Sequence, residues 1–287
     1  MFSQAINNLM QQCEKSNPRN DCDYEDEQGL LVCGKCHTRK QTEVTLLDKT
    51  IRPFCLCKCE QEKRDAEEEE FKRKEMERRI HDNRRVAFPK EERDKMQQWT
   101  FANDDMQNKR ITQAMQNYVD NFPEFRKQGK GLLLYGVCGT GKTFAACEVA
   151  NALLDKGYSV LVTNFSRVLN TLQGTFDKQD YINTLNDYSL LVIDDLGIER
   201  GTEYAKEQVY NVIDGRYRAG LPMIITTNLS IDKIKNPDDI ENMRIYDRII
   251  EKCFPIEITG GSRRRQNVRN EYDEMKNLLG LGGDGDV

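Results

Sequence analysis

The sequence YGVCGTGKTF, residues 135–144, places three glycines ahead of a lysine and a threonine. Residues 136–143 fit the pattern GxxxxGKT, in which the glycines let backbone N–H groups turn inward around phosphate oxygens. In this pattern Lys142 reaches the β and γ phosphates, and the hydroxyl of Thr143 holds Mg²⁺. We therefore expect ATP or ADP to be held by Gly136, Val137, Cys138, Gly139, Thr140, Gly141, Lys142, Thr143 and Phe144.

The residues on either side of this loop predict a strand before it and a helix after it. The strand is the short apolar run GLLLYG, and the helix is TFAACEVANALLDKG, with Gly157 as its stop. Three further runs, YSVLVTNF, SLLVIDDLG and PMIITTNLS, are apolar strands that end in polar residues, with helical patterns between them. Strands of this kind indicate a parallel sheet covered by helices on both faces. The predicted fold class is α/β.

Acidic and amide side chains end two of these strands. Asp194 and Asp195 end the run LLVIDD, and Asn228 ends the run MIITTN. Two aspartates at a strand end could simply form a turn or cap a helix. After a glycine loop they suit ATP hydrolysis better, with Asp194 in the shell of the magnesium ion and Asp195 as catalytic base. Asn228 would orient the attacking water between Asp195 and the γ phosphate.

Arginines cluster towards the end of the chain. Arg244 and Arg248 lie four residues apart on a predicted helix, and residues 263–265 are three arginines in a row. Guanidinium groups suit the charge that develops on a transferred phosphate. A solvated surface position is the alternative for each of them.

Most of the ten cysteines lie before residue 60. Cys33 and Cys36 form a CxxC pair, and CxCxC follows at residues 55–59. Two close groups of thiolates separated by a loop fit a tetrahedral zinc site, which can fold a segment too small for its own core. Reduced thiols with no common role are the alternative. The spacing leaves open which four residues bind, since the second group offers three cysteines and His37 adds another candidate.

Composition limits the classes of function. Hydrophobic residues make up 38 % of the 287-residue chain and charged residues 32 %, with a formal net charge of −5. Such a chain does not coat nucleic acid as a polycation, so any contact with nucleic acid must be local. The run EKRDAEEEEFKRKEMERR predicts a long solvated helix, which Pro89 ends or kinks. No run long enough to span a bilayer and no signal-peptide pattern is present, which favours a cytoplasmic protein without a membrane partner.

Taken in order, GLLLYGVCGTGKT, LLVIDDLG, MIITTNLS, RIYDRI and ITGGSRR resemble the DnaC-type and DnaI-type replicative helicase loaders of bacteria and their phages. These loaders are AAA+ ATPases related to the DnaA initiator and to the IstB transposition helpers. The resemblance implies an AAA+ P-loop ATPase domain. It assigns Lys142 and Thr143 to Walker A, Asp194 and Asp195 to Walker B, and Asn228 to the first sensor.

The resemblance also assigns two arginines and a zinc set. It makes Arg248 an arginine finger that reaches the ATP of a neighbouring subunit, which implies self-association, and Arg264 the second sensor. An arginine stands at residue 263, where the family has an aromatic, so the nucleotide-sensing member of 263–265 stays open. Relatives with a CxC ahead of a charged helix favour Cys57 and Cys59 as zinc ligands beside the CxxC pair, with Cys55 or His37 as substitutes.

The partners implied by the resemblance are a hexameric DnaB-type replicative helicase and single-stranded DNA. Phe176, Thr202 and Tyr204 match the family's DNA contacts, although both aromatic rings could equally lie in the core. The implied domains are a zinc-binding, helicase-interacting domain (1–60), a charged helical linker (61–94), an AAA+ domain (95–279) and a disordered tail (280–287). Two other functions fit the ATPase motifs: an IstB-type transposition helper and a nucleotide-sensing, DNA-binding regulator.

Overall fold

The computed structural model describes residues 19–46, 49–197 and 202–262, together with positions 272, 275, 276, 278 and 279. The chain divides into two compact units, Met1–Glu77 and Arg78–Val287. The predicted tail at 280–287 lies outside the described residues. The domain boundaries drawn from the sequence stay a prediction.

The described strands of the first unit form two short antiparallel pairs. Strands β1 (Tyr24–Glu25) and β2 (Leu31–Val32) make one pair, and β3 (Val44–Leu46) and β4 (Lys49–Ile51) make the other. Strands this short cannot bury much apolar surface. The segment therefore needs another source of stability, which its cysteines can supply.

Helix α1 (Lys58–Ala87) confirms the long charged helix predicted from the sequence. Most of its residues are exposed, and Lys63–Glu67 is one of several exposed ion pairs at i,i+4 along it. Such pairs each contribute only a few tenths of a kcal/mol, about 0.3–0.5. The helix ends two residues before Pro89, whose ring disfavours the helical conformation in the residue before it.

The second unit alternates strands and helices, as the apolar runs predict. Its strands are β5 (Gly131–Tyr135), β6 (Val160–Asn164), β7 (Leu190–Leu196), β8 (Met223–Thr227) and β9 (Cys253–Glu257). Its helices after α1 are α2 (Arg93–Gln97), α3 (Lys109–Asp120), α4 (Phe122–Gln128), α5 (Lys142–Asp155), α6 (Phe165–Gly174), α7 (Lys178–Leu185), α8 (Glu203–Arg218), α9 (Ile231–Lys235) and α10 (Ile240–Lys252). In the described part of the chain no helix is long and apolar enough to cross a membrane.

The five strands described in the second unit form one sheet in the order β6-β7-β8-β5-β9, and every neighbouring pair is parallel. The prediction of an α/β fold with a parallel sheet between helices is confirmed. Strand β9 was not predicted from the sequence, because its residues CFPIE follow helix α10 directly, without a turn signal between them. In a parallel sheet all carboxyl ends meet at one edge, where ligands bind.

Alternate residues of each strand face opposite sides of the sheet. Leu132 and Leu134 pack into a cluster with α3 and α5, whereas Leu133 packs into a second cluster with α6, α8 and α10. All three leucines are buried. Burial on both faces explains why these strands are apolar throughout rather than alternating.

Candidate active site

The glycine loop joins β5 to α5 and needs its glycines. Gly136, Gly139 and Gly141 have φ values of 145°, 87° and 98°, a region that residues with a side chain rarely adopt. A Cβ on Gly136 would lie 2.4 Å from the backbone oxygen of Ile258, and one on Gly139 would lie 2.4 Å from Oγ of Ser262. Side chains at Gly136 and Gly139 would therefore collide with neighbouring atoms, and without them the loop backbone lines a cavity at the start of α5. This fits a bound phosphate chain.

Lys142 lies at the first position of α5 and is buried. Its Nζ donates to the carbonyl oxygens of Gly136 and Val137, both at 2.9 Å, and to Oδ1 of Asn228 at 2.8 Å. The ammonium group thus joins the glycine loop to the end of β8. Sequence motifs far apart along the chain meet at this group.

Thr143 and Asp194 also meet. The hydroxyl of Thr143 donates to Oδ1 of Asp194 at 2.9 Å, and Thr226 donates to the same oxygen at 2.6 Å. Burial raises the pKa of Asp194 above its ordinary value, the hydroxyl of Thr226 opposes this, and the charge of Asp195 adds to it. A hydroxyl and a buried carboxylate side by side are oxygen donors of the kind that Mg²⁺ prefers.

A cavity of about 350 Å³ opens beside the loop. It is lined by Lys142, Thr143, Asp195 and Asn228 together with Cys138, Gly139, Gly141 and Phe144. The volume lies in the range of small-molecule sites, about 300–1,000 Å³. Of the predicted nucleotide contacts, Gly136, Val137 and Thr140 are not among the residues that line this cavity. The side chain of Val137 is exposed and that of Thr140 is buried.

Sequence reasoning missed the other wall of this cavity. Lys95, Trp99, Asn103 and Asp105 line it from α2 and the turn that follows. The ring of Trp99 lies 5.9 Å from that of Phe144, measured between centroids, so an aromatic pair flanks the glycine loop. Trp99 is the chain's one tryptophan, which was a usable signal.

Arg248 is held within its own chain. Its Nε donates to Oδ1 of Asp214 at 2.6 Å and its NH2 donates to the hydroxyl of Tyr210 at 2.8 Å. The guanidinium also lies over the rings of Tyr210 and Tyr217, at 4.7 and 5.6 Å from the centroids. Arg244 is exposed on the same helix. Residues 263–265, including the predicted sensor Arg264, lie outside the described residues.

The three predicted DNA contacts differ in environment. Phe176, between α6 and α7, is fully exposed at 107 %. Thr202 caps α8, because its hydroxyl accepts from the backbone N–H of Ala205 at 3.2 Å. The ring of Tyr204 lies under Nζ of Lys178, 4.8 Å from the centroid, and its buried hydroxyl has no hydrogen-bond partner among the described residues.

In the first unit, the side-chain sulfurs of Cys33, Cys36, Cys57 and Cys59 all lie within 4.8 Å of one another. Sγ of Cys59 is 3.6 Å from that of Cys33 and 3.3 Å from that of Cys57. Four sulfurs on a tetrahedral zinc ion with bonds of about 2.3 Å would be about 3.8 Å apart. The donor set therefore fits zinc.

The two substitute ligands have other contacts. Sγ of Cys55 lies 3.6 Å from the carbonyl oxygen of Arg39, and Nδ1 of His37 lies 3.2 Å from the hydroxyl of Tyr24. Neither belongs to the group of four that the structure brings together. Cys57 and Cys59 flank the first residue of α1, so the cluster also fixes where that helix begins.

The parallel sheet, the glycine loop and the buried lysine and aspartate define a P-loop ATP-binding protein. The chain belongs to the IstB-like ATP-binding protein family, whose model matches residues 65–271. The cysteine cluster lies ahead of the matched region.

Two curated relatives are helicase loaders. The replicative helicase loader DnaI of Bacillus subtilis (strain 168) is 28 % identical over 165 residues, 53 % of each chain. The replicative helicase loader DnaC of Escherichia coli (strain K12) is 27 % identical over 131 residues, 44 % of this chain and 52 % of that protein. The match thus spans about half the length of these relatives.

A solved structure shares the fold. A crystal structure of DnaI aligns with a TM-score of 0.51 at 22 % identity, over 62 % of this chain and 96 % of that one.

Proposed function

We propose that this chain is an ATP-dependent loader that binds a hexameric replicative helicase and places it on single-stranded DNA. The observation that carries the proposal is a set of contacts at one edge of the sheet. Lys142 connects the glycine loop to Asn228 at the end of β8, and Thr143 bonds to Asp194, a pair of oxygen donors of the kind that binds Mg²⁺. This arrangement occurs in a chain of the IstB-like family whose relatives include two proteins named as replicative helicase loaders.

The chain's own residues would perform the ATP step. The glycine-loop amides and Lys142 hold the phosphates, and Thr143 and Asp194 are the groups that would hold Mg²⁺, which when bound neutralises phosphate charge. Asp195 lines the cavity and takes the proton of the attacking water. Asn228, fixed at Oδ1 by Lys142, is free to present its amide N–H₂ to that water or to a phosphate oxygen.

Hydrolysis would require a second subunit. Arg248 lies in α10 and is held by Asp214 and Tyr210 of its own chain. We propose that it acts as an arginine finger on the ATP of the neighbouring subunit, so turnover depends on assembly. Arg264, or one of its two neighbours, would sense the same nucleotide.

Single-stranded DNA would contact the second unit at Phe176, Thr202 and Tyr204. The support is the full exposure of the Phe176 ring, because an apolar ring in water can stack on a base. Thr202 acts through its position at the start of α8 rather than through a free hydroxyl. Lys178 lies over Tyr204 and adds a cation beside the ring.

We propose that the first unit binds zinc and docks on the helicase. Its cysteine set fits a structural zinc ion, and the family model begins only at residue 65. The ATPase region shared with the family and the region specific to the helicase partner would then be separate parts of the chain. This agrees with the predicted zinc-binding domain (1–60), linker (61–94) and ATPase domain (95–279).

The test is helicase loading on DNA coated with single-strand binding protein. Cognate helicase should unwind this DNA much faster with wild-type chain and ATP. Lys142→Ala should lose the gain, whereas Lys127→Ala, which removes an exposed lysine on α4, should keep it. An equal gain with Lys142→Ala, or none with wild type, would contradict the proposal.

A transposition helper is the second candidate, because the matching family is named for IstB. Such a protein would act with a transposase on duplex DNA. Stable binding to duplex DNA in preference to single-stranded DNA, without binding to a helicase, would favour it.

A further inference from the structure

Strand β7 contains an extra residue where its two aspartates lie. Ile193 pairs with Ile225 of β8, and Leu196 pairs with Thr227, with a shift of register between the two pairs. Asp194 and Asp195 therefore face Thr226 alone. A bulge of this kind redirects side chains and is frequent beside active sites.

The bulge places Asp195 in an unusual backbone conformation. Its φ is 57°, in the left-handed region that residues other than glycine seldom occupy. A residue keeps such a conformation only when its surroundings hold it there. In this conformation Asp195 lines the 350 Å³ cavity beside the glycine loop.

Thr226 contacts both aspartates through one hydroxyl group. Its Oγ1 accepts from the backbone N–H of Asp195 at 2.9 Å and donates to Oδ1 of Asp194 at 2.6 Å. Thr226 is fully buried, at 0 % exposure. A hydroxyl has one proton to donate and lone pairs to accept, so both bonds can exist at once.

We propose that Thr226 is the positioning residue for both carboxylates of the ATPase site. It turns Oδ1 of Asp194 towards itself and Thr143, which leaves the other carboxylate oxygen for other partners, and it holds the left-handed backbone of Asp195. The inference rests on the proposed ATP hydrolysis, because the positions of Asp194 and Asp195 would affect the rate of that reaction.

A threonine in a buried strand could instead be only a β-branched filler. Valine would fill the same space without the hydroxyl, so Thr226→Val separates the two roles. Thr227 supplies the matched control. It is equally buried, but its hydroxyl donates to the carbonyl oxygen of Leu196 at 2.7 Å and accepts from the N–H of Leu229 at 3.1 Å. No contact with either carboxylate is among the hydrogen bonds of Thr227 in the described part of the chain.

The first readout is steady-state ATP turnover by full-length chain with helicase and single-stranded DNA. Thr226→Val should lower kcat by about 100-fold, as loss of a fixed active-site donor does, with little change in KM for ATP. Thr226→Ser should restore turnover to within a few-fold of wild type. Thr227→Val should keep most of it.

The second readout is amide hydrogen exchange of Asp195 in nucleotide-free protein, followed by NMR. Thr226→Val should speed the exchange of this amide markedly, while Thr226→Ser and Thr227→Val leave it slow. If valine destabilises the sheet, Thr226→Ala serves in its place, and the melting temperature of each variant identifies such a loss.

Wild-type turnover in Thr226→Val, failure of serine to restore it, or unchanged exchange of the Asp195 amide would each overturn the inference. Absence of ATP turnover in the wild type would instead overturn the proposed function. The exchange measurement would then still decide whether Thr226 holds the backbone of Asp195.

Discussion

The two compact units stabilise a fully buried cation in different ways. In the first unit, Nζ of Lys40 forms ion pairs with Asp23 at 3.0 Å and with Glu60 at 3.2 Å. In the second, Arg216 donates to the backbone carbonyls of Leu185, Tyr188, Ser189 and Pro222. Carboxylates balance the first cation, whereas backbone carbonyls at the end of helix α7 and just before strands β7 and β8 accept from the second.

The two units also differ in how many apolar residues they bury. Those described in the first unit are few and lie next to the cysteines, as Leu30, Leu31 and Val32 do before Cys33. The second unit buries a parallel sheet on both faces. A small segment without a large core needs an additional source of stability, whereas a larger domain supports itself. We therefore expect the first unit to depend on bound metal and the second to be independent of it.

The largest expected effect is on the first unit. Cys57→Ser removes a buried ligand of the four-sulfur cluster, so bound zinc should be lost and residues 19–60 should unfold, since structural zinc supplies about 10–16 kcal/mol in zinc-finger peptides. Native mass spectrometry and hydrogen exchange would measure both. The second unit should keep its protection from exchange.

Cys55→Ser is the matched control, because Cys55 lies outside the cluster. It should bind one zinc ion and exchange like wild type. Retention of zinc by Cys57→Ser, or its loss from Cys55→Ser, would contradict the assignment of ligands.

The next effect is confined to the second unit. Arg216→Met removes a guanidinium that donates to four backbone carbonyls, most of them in buried bonds, and the unpaired acceptors should lower the free energy of unfolding by about 3 kcal/mol or more. Denaturant unfolding measures this loss. Zinc content should not change.

Arg218→Met is the control two residues further along the same helix, because the side chain of Arg218 is 74 % exposed. It should lower the free energy of unfolding by less than about 1 kcal/mol. Equal losses in the two variants would mean that the backbone carbonyls do not depend on Arg216.

The contrast between the units also separates what the sequence could predict from what it could not. Periodicity and the glycine loop predicted the four strands β5 to β8 and the helix from Lys142, since these depend on local pattern. The strand Cys253–Glu257 has no such pattern, with Phe254 exposed and Pro255 within it, and is defined by its partner β5.

Side-chain contacts across strands were also beyond the sequence. The TT pair before Asn228 read as ordinary strand residues, and neither the bulge opposite Thr226 nor the left-handed Asp195 has a local signal. The contacts of Arg248 with Asp214 and Tyr210 join two helices in the same way. For the cysteines, spacing alone left three candidates in the second group. The resemblance favoured Cys57 and Cys59, and the fold brings these two, but not Cys55, together with Cys33 and Cys36.

Arg248→Ala tests whether activity in the second unit requires assembly. In wild type, ATP turnover per subunit should rise with protein concentration. In the variant it should stay about 100-fold or more lower, because arginine fingers supply about 10³–10⁵ in rate. A concentration series of turnover measures the effect.

Arg218→Ala is the control here, since Arg218 also pairs with Asp214, at 2.7 Å, but is mostly exposed. It should keep the wild-type dependence on concentration. Full turnover by a dilute wild-type chain, or by Arg248→Ala, would contradict the shared site.

The smallest expected effect separates the roles of the two units. Phe176 is fully exposed, so replacing it by alanine should not lower stability, yet it should weaken binding of single-stranded DNA by about 1–3 kcal/mol if its ring stacks on a base. Fluorescence anisotropy with a labelled oligonucleotide measures the change.

Binding of the helicase should be unaffected in Phe176→Ala, whereas in Cys57→Ser helicase binding should fall and DNA binding should remain. Because one variant changes an exposed ring in the second unit and the other a buried thiol in the first, opposite losses would assign DNA to the ATPase unit and the helicase to the cysteine unit. Equal losses of both activities in either variant would show that the two units act as one binding surface.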